Sequence, residues 1–389
     1  MSDALLTLNA GSSSLKFSLF TLDDGTPVRR FLGAFDRGAA PDRVTIQAVD
    51  GEERQLPMAE TGALSSAFAA VLEWCEGEVG FGDVVAVGHR IVHGGLDHAA
   101  PVVLTDPVID DLAKLEPLAP LHQPHNLAGV AQARAAFPGA TQVGCFDTAF
   151  HRTHPFVNDT FALPHRFYEE GVRRYGFHGL SYDYVSGALD PKLSKGRVVI
   201  AHLGNGASMC ALKSGQSVGS TMGFSALDGL PMGTRCGQID PGVLLYLMQT
   251  HSMDADAIAA LLYKESGLKG MSGLTNDMRL LLASEDPRAK EAIDYFVFRI
   301  RRELGGMTAV LGGLDALVFT GGIGENAAPI RSRVCEGFDW LGLSLDENAN
   351  TERRSDARDV ATASSDVRVL VVPTDEEMMI ARYTSALLQ

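Results

Sequence analysis

One pattern occurs twice in this chain, about half a chain length apart: an apolar strand, a polar turn built on glycine, and a second apolar strand. It reads LLTLNAGSSSLKFSLF over residues 5–20 and VVIAHLGNGASMCAL over residues 198–212. A hairpin that only reverses direction needs two turn residues, and Asn-Gly suffices. The first turn instead holds Asn9, Gly11, Ser12, Ser13, Ser14 and Lys16. Unhindered backbone amides, hydroxyl donors and one cation suit a phosphate. The same residues also suit a serine-rich hairpin loop with a solvated lysine. A repeated opening of this kind predicts two similar α/β halves with a cleft between them, chance recurrence of two glycine hairpins being the competing explanation.

The rest of the chain fits two such halves. LSSAFAAVLEWCEG (64–77) reads as a helix and DVVAVGHRIV (83–92) as a buried strand, and β/α alternation continues to TQVGCFDTAF (141–150). Helices dominate from about 242 to 310, and DALVFTGGIGEN (315–326) is strand, glycine-rich turn and helix start. The last elements, VRVLVVPTDEEMMIARYTSALL, are a strand, an acidic turn and a short helix. The crossover falls near residues 150–164. A chain of 389 residues with 46% hydrophobic residues can build two substantial cores without disulfides. Its 33 Lys+Arg against 48 Asp+Glu, a net charge of −15, argue against nucleic-acid and anionic-membrane partners. Five scattered cysteines with no Cys-x-x-Cys read as reduced thiols, and MSDALLTLNAGSS lacks a basic segment and a long apolar run. The expectation is a soluble, cytoplasmic protein.

Several residues sit where chemistry can be done. Arg90 in GHRIVHGG and Arg235 in MGTRCGQIDP adjoin glycine-rich turns, where a guanidinium can fork a carboxylate or phosphate. Each could equally be half of a structural ion pair. Asp147 in GCFDTAFH follows an apolar strand, suited to a base, a nucleophile, a metal ligand or a helix cap. His178 in RRYGFHGLS is a donor in a tight turn or a satisfied core histidine. His122/His125 and His151/His154 have an i, i+3 spacing that zinc can use, but neither pair has nearby cysteines or a second metal-type pair, whereas Asp147, Glu376, Glu377 and the Asn9 amide offer hard oxygens for Mg²⁺. GGIGENA is a weak dinucleotide fingerprint, and no Walker loop occurs.

Taken in order, LNAGSSSLKF, GHRIVHGG, LAPLH, FDTAFH, RRYGFHG, HLGNGAS, MGTR, SGLTNDMR, FTGGIGEN and PTDEE resemble the acetokinase family of short-chain acyl kinases, from residue 5 to about 382. The resemblance implies a duplicated actin-like (ribonuclease H-like) α/β fold with an interdomain active-site cleft. Residues 1–149 plus about 378–389 would form one domain and residues 150–377 the nucleotide-binding one. It implies ATP-dependent phosphorylation of a short carboxylate, acetate first, with Mg²⁺ (or Mn²⁺) and a homodimer. A propionate- or butyrate-preferring kinase is the alternative in the same class, and an actin-like ATPase or regulatory module the alternative outside it.

By the same resemblance, Arg90, Asp147, His178 and Arg235 are catalytic. Arg90, Val92, Leu121 and Phe177 bind the acyl substrate, and Asn9 and Glu376 hold the metal. Lys16, Ser12, Ser14, His202, Gly204, Asn205 and Gly206 surround the phosphates. Asp277, Met278, Arg279, Gly322, Ile323 and Asn326 form the adenosine pocket. The chain departs from the family pattern at Gln123, Leu180, Tyr182, Gly219, Ala226 and Gln238, near the acyl and phosphate sites. Ala226 in place of a proline predicts a roomier acyl pocket.

Overall fold

The computed structural model describes residues 3–11, 14–38, 40–49, 51–77, 83–120 and 122–389. The chain divides into two compact units: Met1–Phe150 with Gly179–Tyr184 and Asp375–Gln389, and His151–His178 with Val185–Thr374. Relative to the boundaries expected from sequence, Gly179–Tyr184 and the residues from Asp375 fall with the first unit.

The first unit is built on an eight-stranded sheet. Its strands are β1 (Ala4–Ala10), β2 (Ser14–Asp23), β3 (Thr26–Asp36), β4 (Ala40–Ala48), β5 (Glu53–Pro57), β6 (Val84–Ile91), β7 (Val102–Val103) and β8 (Thr141–Phe146), in the order β5-β4-β3-β2-β1-β6-β8-β7. From β1 to β5 the strands are antiparallel neighbours, whereas β6 and β8 run parallel to β1. Every residue of β1 is buried, so both faces of the sheet need cover.

The period of two along a strand decides which side chain meets which layer. Leu6 and Leu8, with Phe17 and Leu19 of β2, pack into a core with Phe68, Val71 and Ala133. Phe68 and Val71 belong to the helix Leu64–Gly77, which buries Leu64, Ala67, Phe68, Val71, Leu72 and Cys75, one stripe at helical spacing. The alternate residues Leu5, Phe20 and Ala86 face Ala381, and Val143 and Cys145 of β8 face Ile380, both on the helix Glu376–Ala386. Asn9 of β1 and Arg90 of β6 have the parity of Leu5 and Ala86, so they point to the side of that last helix.

The second unit has a six-stranded sheet: β9 (Arg197–Leu203), β10 (Ala207–Lys213), β11 (Gln216–Ser220), β12 (Ala316–Thr320), β13 (Arg358–Asp359) and β14 (Arg368–Val371), ordered β11-β10-β9-β12-β14-β13. Three antiparallel strands come first, and β12 and β14 then run parallel to β9 and to each other. The long helix Pro287–Leu311 covers it, capped by the Asp286 carboxylate, which accepts from the Arg288 amide at 2.9 Å, with proline in its first turn and Gly312 (φ 73°) at its end. Order β3-β2-β1-β6-β8 in one unit and β11-β10-β9-β12-β14 in the other is one topology used twice. The fold is a duplicated, actin-like α/β fold.

Two buried histidines give the molecule an acid limit. Burial pushes His89 in the first unit and His151 in the second down to about 4. Their folded values lie below the unfolded value of about 6.5, so they favour the native state above that pH and lose the contribution as pH falls toward 4. Within that window each pH unit removes about 1.4 kcal/mol per histidine. Urea unfolding at stepped pH should therefore show stability dropping below pH 6.5, and a His89→Gln variant should give a flatter slope there. Equal slopes for the two proteins would contradict a neutral buried His89.

Candidate active site

In the first unit three parallel strands deliver polar groups at their carboxyl ends, where open α/β sheets bind ligands. Asn9 and Arg90 lie one residue before the ends of β1 and β6, and Asp147 follows β8. The Arg90 guanidinium donates to Asp147 Oδ2 from Nε (3.0 Å) and Nη2 (2.6 Å), and from Nη1 to Asn9 Oδ1 (3.2 Å). Asn9 Nδ2 donates to Glu376 Oε2 and Glu377 Oε1, each at 2.8 Å. Asp147 is fully buried and Arg90 nearly so. Burial raises the Asp147 carboxyl, Arg90 lowers it, and Glu376 raises it again, leaving it above the ordinary value. Burial opposes the charge on Arg90, but Asp147, Glu376 and Glu377 overcome that and raise it. Glu377 is raised by burial and by Glu376, with Lys16 pulling the other way. Lys16 pairs in register with Asn9 across β1 and β2, which places its charge at this cluster.

The second unit gathers a different set. His178 has φ 59°, a left-handed conformation uncommon for a side chain with a Cβ, at the N-cap of the helix Gly179–Ala188. Its ring stacks on His202 with centroids 4.3 Å apart and planes 18° from parallel, and Nδ1 hydrogen-bonds Ser208 Oγ at 2.8 Å. Arg235 Nη1 donates to the Ala226 carbonyl at 2.8 Å. Both groups then converge on Gly206, where a Cβ would lie 3.2 Å from Arg235 Nη2 and 3.2 Å from His178 Nε2. Any side chain at 206 would occupy the space these two nitrogens face, so the glycine keeps that space open. Next to it, a Cβ on Gly204 would sit 3.7 Å from His202 Nε2 and 4.0 Å from the Gly322 amide nitrogen. The glycine turns after β9 and β12 are therefore neighbours. The Glu325 carboxylate fixes the second of them, accepting from the amides of Gly321 (2.9 Å) and Thr374 (3.1 Å).

The acetokinase family profile matches residues 4–382. The chain belongs to the acetokinase family. It is 54% identical to an acetate kinase of Methylocella silvestris, over 100% of this chain and 98% of that protein. Among solved structures it is similar to an acetate kinase of Porphyromonas gingivalis (37% identity, TM-score 0.86, 100% of each chain covered). It is likewise similar to a propionate kinase of Francisella tularensis (35% identity, TM-score 0.90, 99% of each chain).

Within this acetokinase the other expected site residues take varied places. Val92 and Phe177 are buried, the first donating its amide to Asn126 Oδ1 at 3.0 Å. Ser12 and Leu121 lie outside the described residues, and Ser14 accepts the Gly11 amide on its carbonyl at 2.8 Å. Asn205 Oδ1 accepts from Asn276 at 3.0 Å. Asp277 caps the helix Met278–Ala283 through the Arg279 amide and also pairs with the exposed Arg279 side chain at 2.6 Å, while Met278 is buried. Gly322 opens onto free space, Ile323 follows it in the helix Gly321–Asn326, and Asn326 Nδ2 donates back to the Gly322 carbonyl at 2.9 Å.

The departures from the family pattern have local partners. Gln123 donates to the His93 and Leu112 carbonyls, Leu180 joins the core with Cys145 and Ile380, and Tyr182 stacks on Phe150. Gln238 accepts from Arg299 at 2.8 Å. Ser208, the hydrogen-bond partner of His178, has no signal in the sequence beyond its place near the start of the strand after HLGNG. Glu377 enters the sequence reading only as a hard oxygen for Mg²⁺, and the acidic run DEE carries its signal.

Proposed function

We propose that the chain transfers the γ-phosphoryl group of ATP to acetate, reversibly, giving acetyl phosphate and ADP. The observation that carries this reading is the convergence of His178 and Arg235 over the open face of Gly206 in an acetokinase chain. Phosphoryl transfer asks little covalent work of a protein; it needs reactants held in line and charge neutralised on the equatorial oxygens. In this reading Arg235 and His178 meet the phosphoryl group as it leaves ATP, and Arg90 holds the carboxylate, with Asp147 fixing its guanidinium. The turns at Gly204–Gly206 and Gly322 cradle the nucleotide phosphates, and the segment Asp277–Arg279 borders the adenosine. The family resemblance also favours a cytoplasmic homodimer. No helix among the described residues is long and apolar enough to cross a membrane.

The donor set at Asn9 fits a divalent cation. Two carboxylates converge on one amide nitrogen, and burial with mutual repulsion leaves Glu377 short of compensating charge. Mg²⁺ takes one or two carboxylates and fills its other positions with water and phosphate oxygens; Mn²⁺ would be held by the same groups. Glu376 and Glu377 would hold it, with Asn9 orienting both. When bound, the ion supplies charge neutralisation on the phosphates. Glu376→Ala should raise the Mg²⁺ concentration for half-maximal rate by tenfold or more; an unchanged Mg²⁺ titration would move Glu376 to a helix-terminal role.

Hydroxamate trapping with Mg-ATP across formate, acetate, propionate and butyrate tests the function. Acetate should give acyl hydroxamate at a rate matching ADP release. ATP hydrolysis with no trapped acyl group would leave an actin-like ATPase instead. Ala226 adds a prediction about chain length. Its side chain is smaller than the family's proline, and one methylene in an apolar pocket is worth about 1–3 kcal/mol. Propionate should be used at a kcat/KM within about tenfold of acetate, and Ala226→Pro should move the ratio toward acetate. Proline keeps the carbonyl that Arg235 uses, so the ratio reads pocket shape. A ratio unmoved by the substitution removes residue 226 from the acyl wall.

A further inference from the structure

Beneath the turn that carries His178 lies a buried polar node outside the site described above. Ser217 Oγ is 2.8 Å from His151 Nδ1, 2.8 Å from His154 Nε2 and 3.2 Å from Cys210 Sγ, and Ser217, His151 and Cys210 are fully buried. His151 Nε2 is 3.0 Å from the Phe177 carbonyl oxygen. These contacts assign the protons. A carbonyl only accepts, so His151 Nε2 carries hydrogen and donates. Burial keeps this ring neutral near pH 7, so its Nδ1 is the acceptor and Ser217 donates to it. The hydroxyl has then used its one hydrogen, so at the 2.8 Å contact with His154 it is the acceptor and the His154 Nε2–H the donor. His154 Nδ1 is left as a bare acceptor, and it is a buried ring nitrogen with no partner among the described residues. The chain of donors points one way, from His154 through Ser217 and His151 to the Phe177 carbonyl.

That direction matters because the Phe177 carbonyl and the His178 amide share one rigid peptide plane. Holding the carbonyl sets ψ of Phe177 and φ of His178 together. The same ring fills the place where a Cβ on Gly176 would collide, and Gly176 itself has φ 75°. Residues 176–178 thus bend around the His151 imidazole, and the bend includes the left-handed His178.

We infer that His151 is a positioning residue for His178: its Nε2–H, oriented by Ser217, holds the Phe177–His178 peptide so that the His178 ring faces Gly206. This inference rests on the reading of His178 as a donor to the transferring phosphoryl group. The two can fail separately.

The experiment compares His178→Ala, His151→Phe, His151→Gln and Ser217→Ala in steady-state kinetics, with ¹⁵N-histidine NMR of the wild type. A misplacement of about 1 Å at a reacting group costs on the order of 10²-fold in rate. His151→Phe should lower kcat by about 10- to 100-fold and leave the ATP and acetate KM within about threefold. His151→Gln, whose amide places a donor near the Nε2 position, should recover most of the loss, and Ser217→Ala should lose several-fold in kcat. The NMR spectrum should show one histidine locked as the neutral Nε2–H tautomer from pH 5 to 8. Unchanged kcat in both His151→Phe and Ser217→Ala, or a Gln variant as slow as the Phe variant, overturns the inference. So does a His151 ring that exchanges tautomers. If His151→Phe does not fold, Ser217→Ala and the NMR spectrum decide. A His178→Ala enzyme with normal kcat would instead sink the role given to His178.

Discussion

Arg235→Ala is expected to lower kcat by about 10²-fold or more while the KM for ATP stays nearly unchanged. The guanidinium is anchored at one nitrogen by the Ala226 carbonyl, and its other terminal nitrogen faces the space above Gly206. A group preorganised in this way contributes most when charge develops beside it, and little to ground-state binding of a nucleotide held by backbone turns elsewhere. Lysine should rescue poorly, because a point charge cannot hold the carbonyl and face the phosphoryl group together. Stopped-assay kinetics with varied ATP separates the two constants. Normal kcat with a raised KM would place Arg235 among nucleotide-binding residues and remove it from the chemical step.

Arg90→Ala should be the most damaging change in the first unit, in stability as well as rate. Asp147 is fully buried and takes two hydrogen bonds from Arg90 on a single oxygen. Removing the arginine leaves a buried carboxylate without its partner, a defect that typically costs about 3–5 kcal/mol. The paired variant Arg90→Ala with Asp147→Ala removes both charges and should recover much of that stability while remaining inactive. Chemical denaturation of the three variants measures the coupling. If the double variant is no more stable than Arg90→Ala alone, the pair is not the source of the loss. Active double variant would mean that neither group serves catalysis.

How far the sequence could lead depended on the kind of signal. The duplicated strand–turn–strand pattern was visible because buried strands and glycine turns leave period and composition along the chain, and the common strand order of the two sheets follows from it. Asn9 and Arg90 could be placed on one face by parity alone once β1 and β6 were known. Contacts between distant residues left no such trace. Nothing in FDTAFHRTH marks His151 as the support of a peptide 26 positions later, because the link is one hydrogen bond to a backbone carbonyl. Nor did SGLTNDMR reveal that Asp277 would cap its own helix, since a capping aspartate and a ligand-facing one look alike before the chain is folded.

The cover that the helix Glu376–Ala386 gives to β1 has a consequence for biosynthesis. The ribosome makes β1 long before this helix, with the whole second unit between them. Until the helix emerges, Leu5, Phe20 and Ala86 lack Ala381, and Val143 and Cys145, already beside Leu180, lack Ile380. The second unit can complete its own sheet and cores while the first, although older, waits. Nascent chains stopped short of residue 376 should therefore bind hydrophobic-surface dyes and holding chaperones through β1, β2, β6 and β8, and lose that binding when the helix is released.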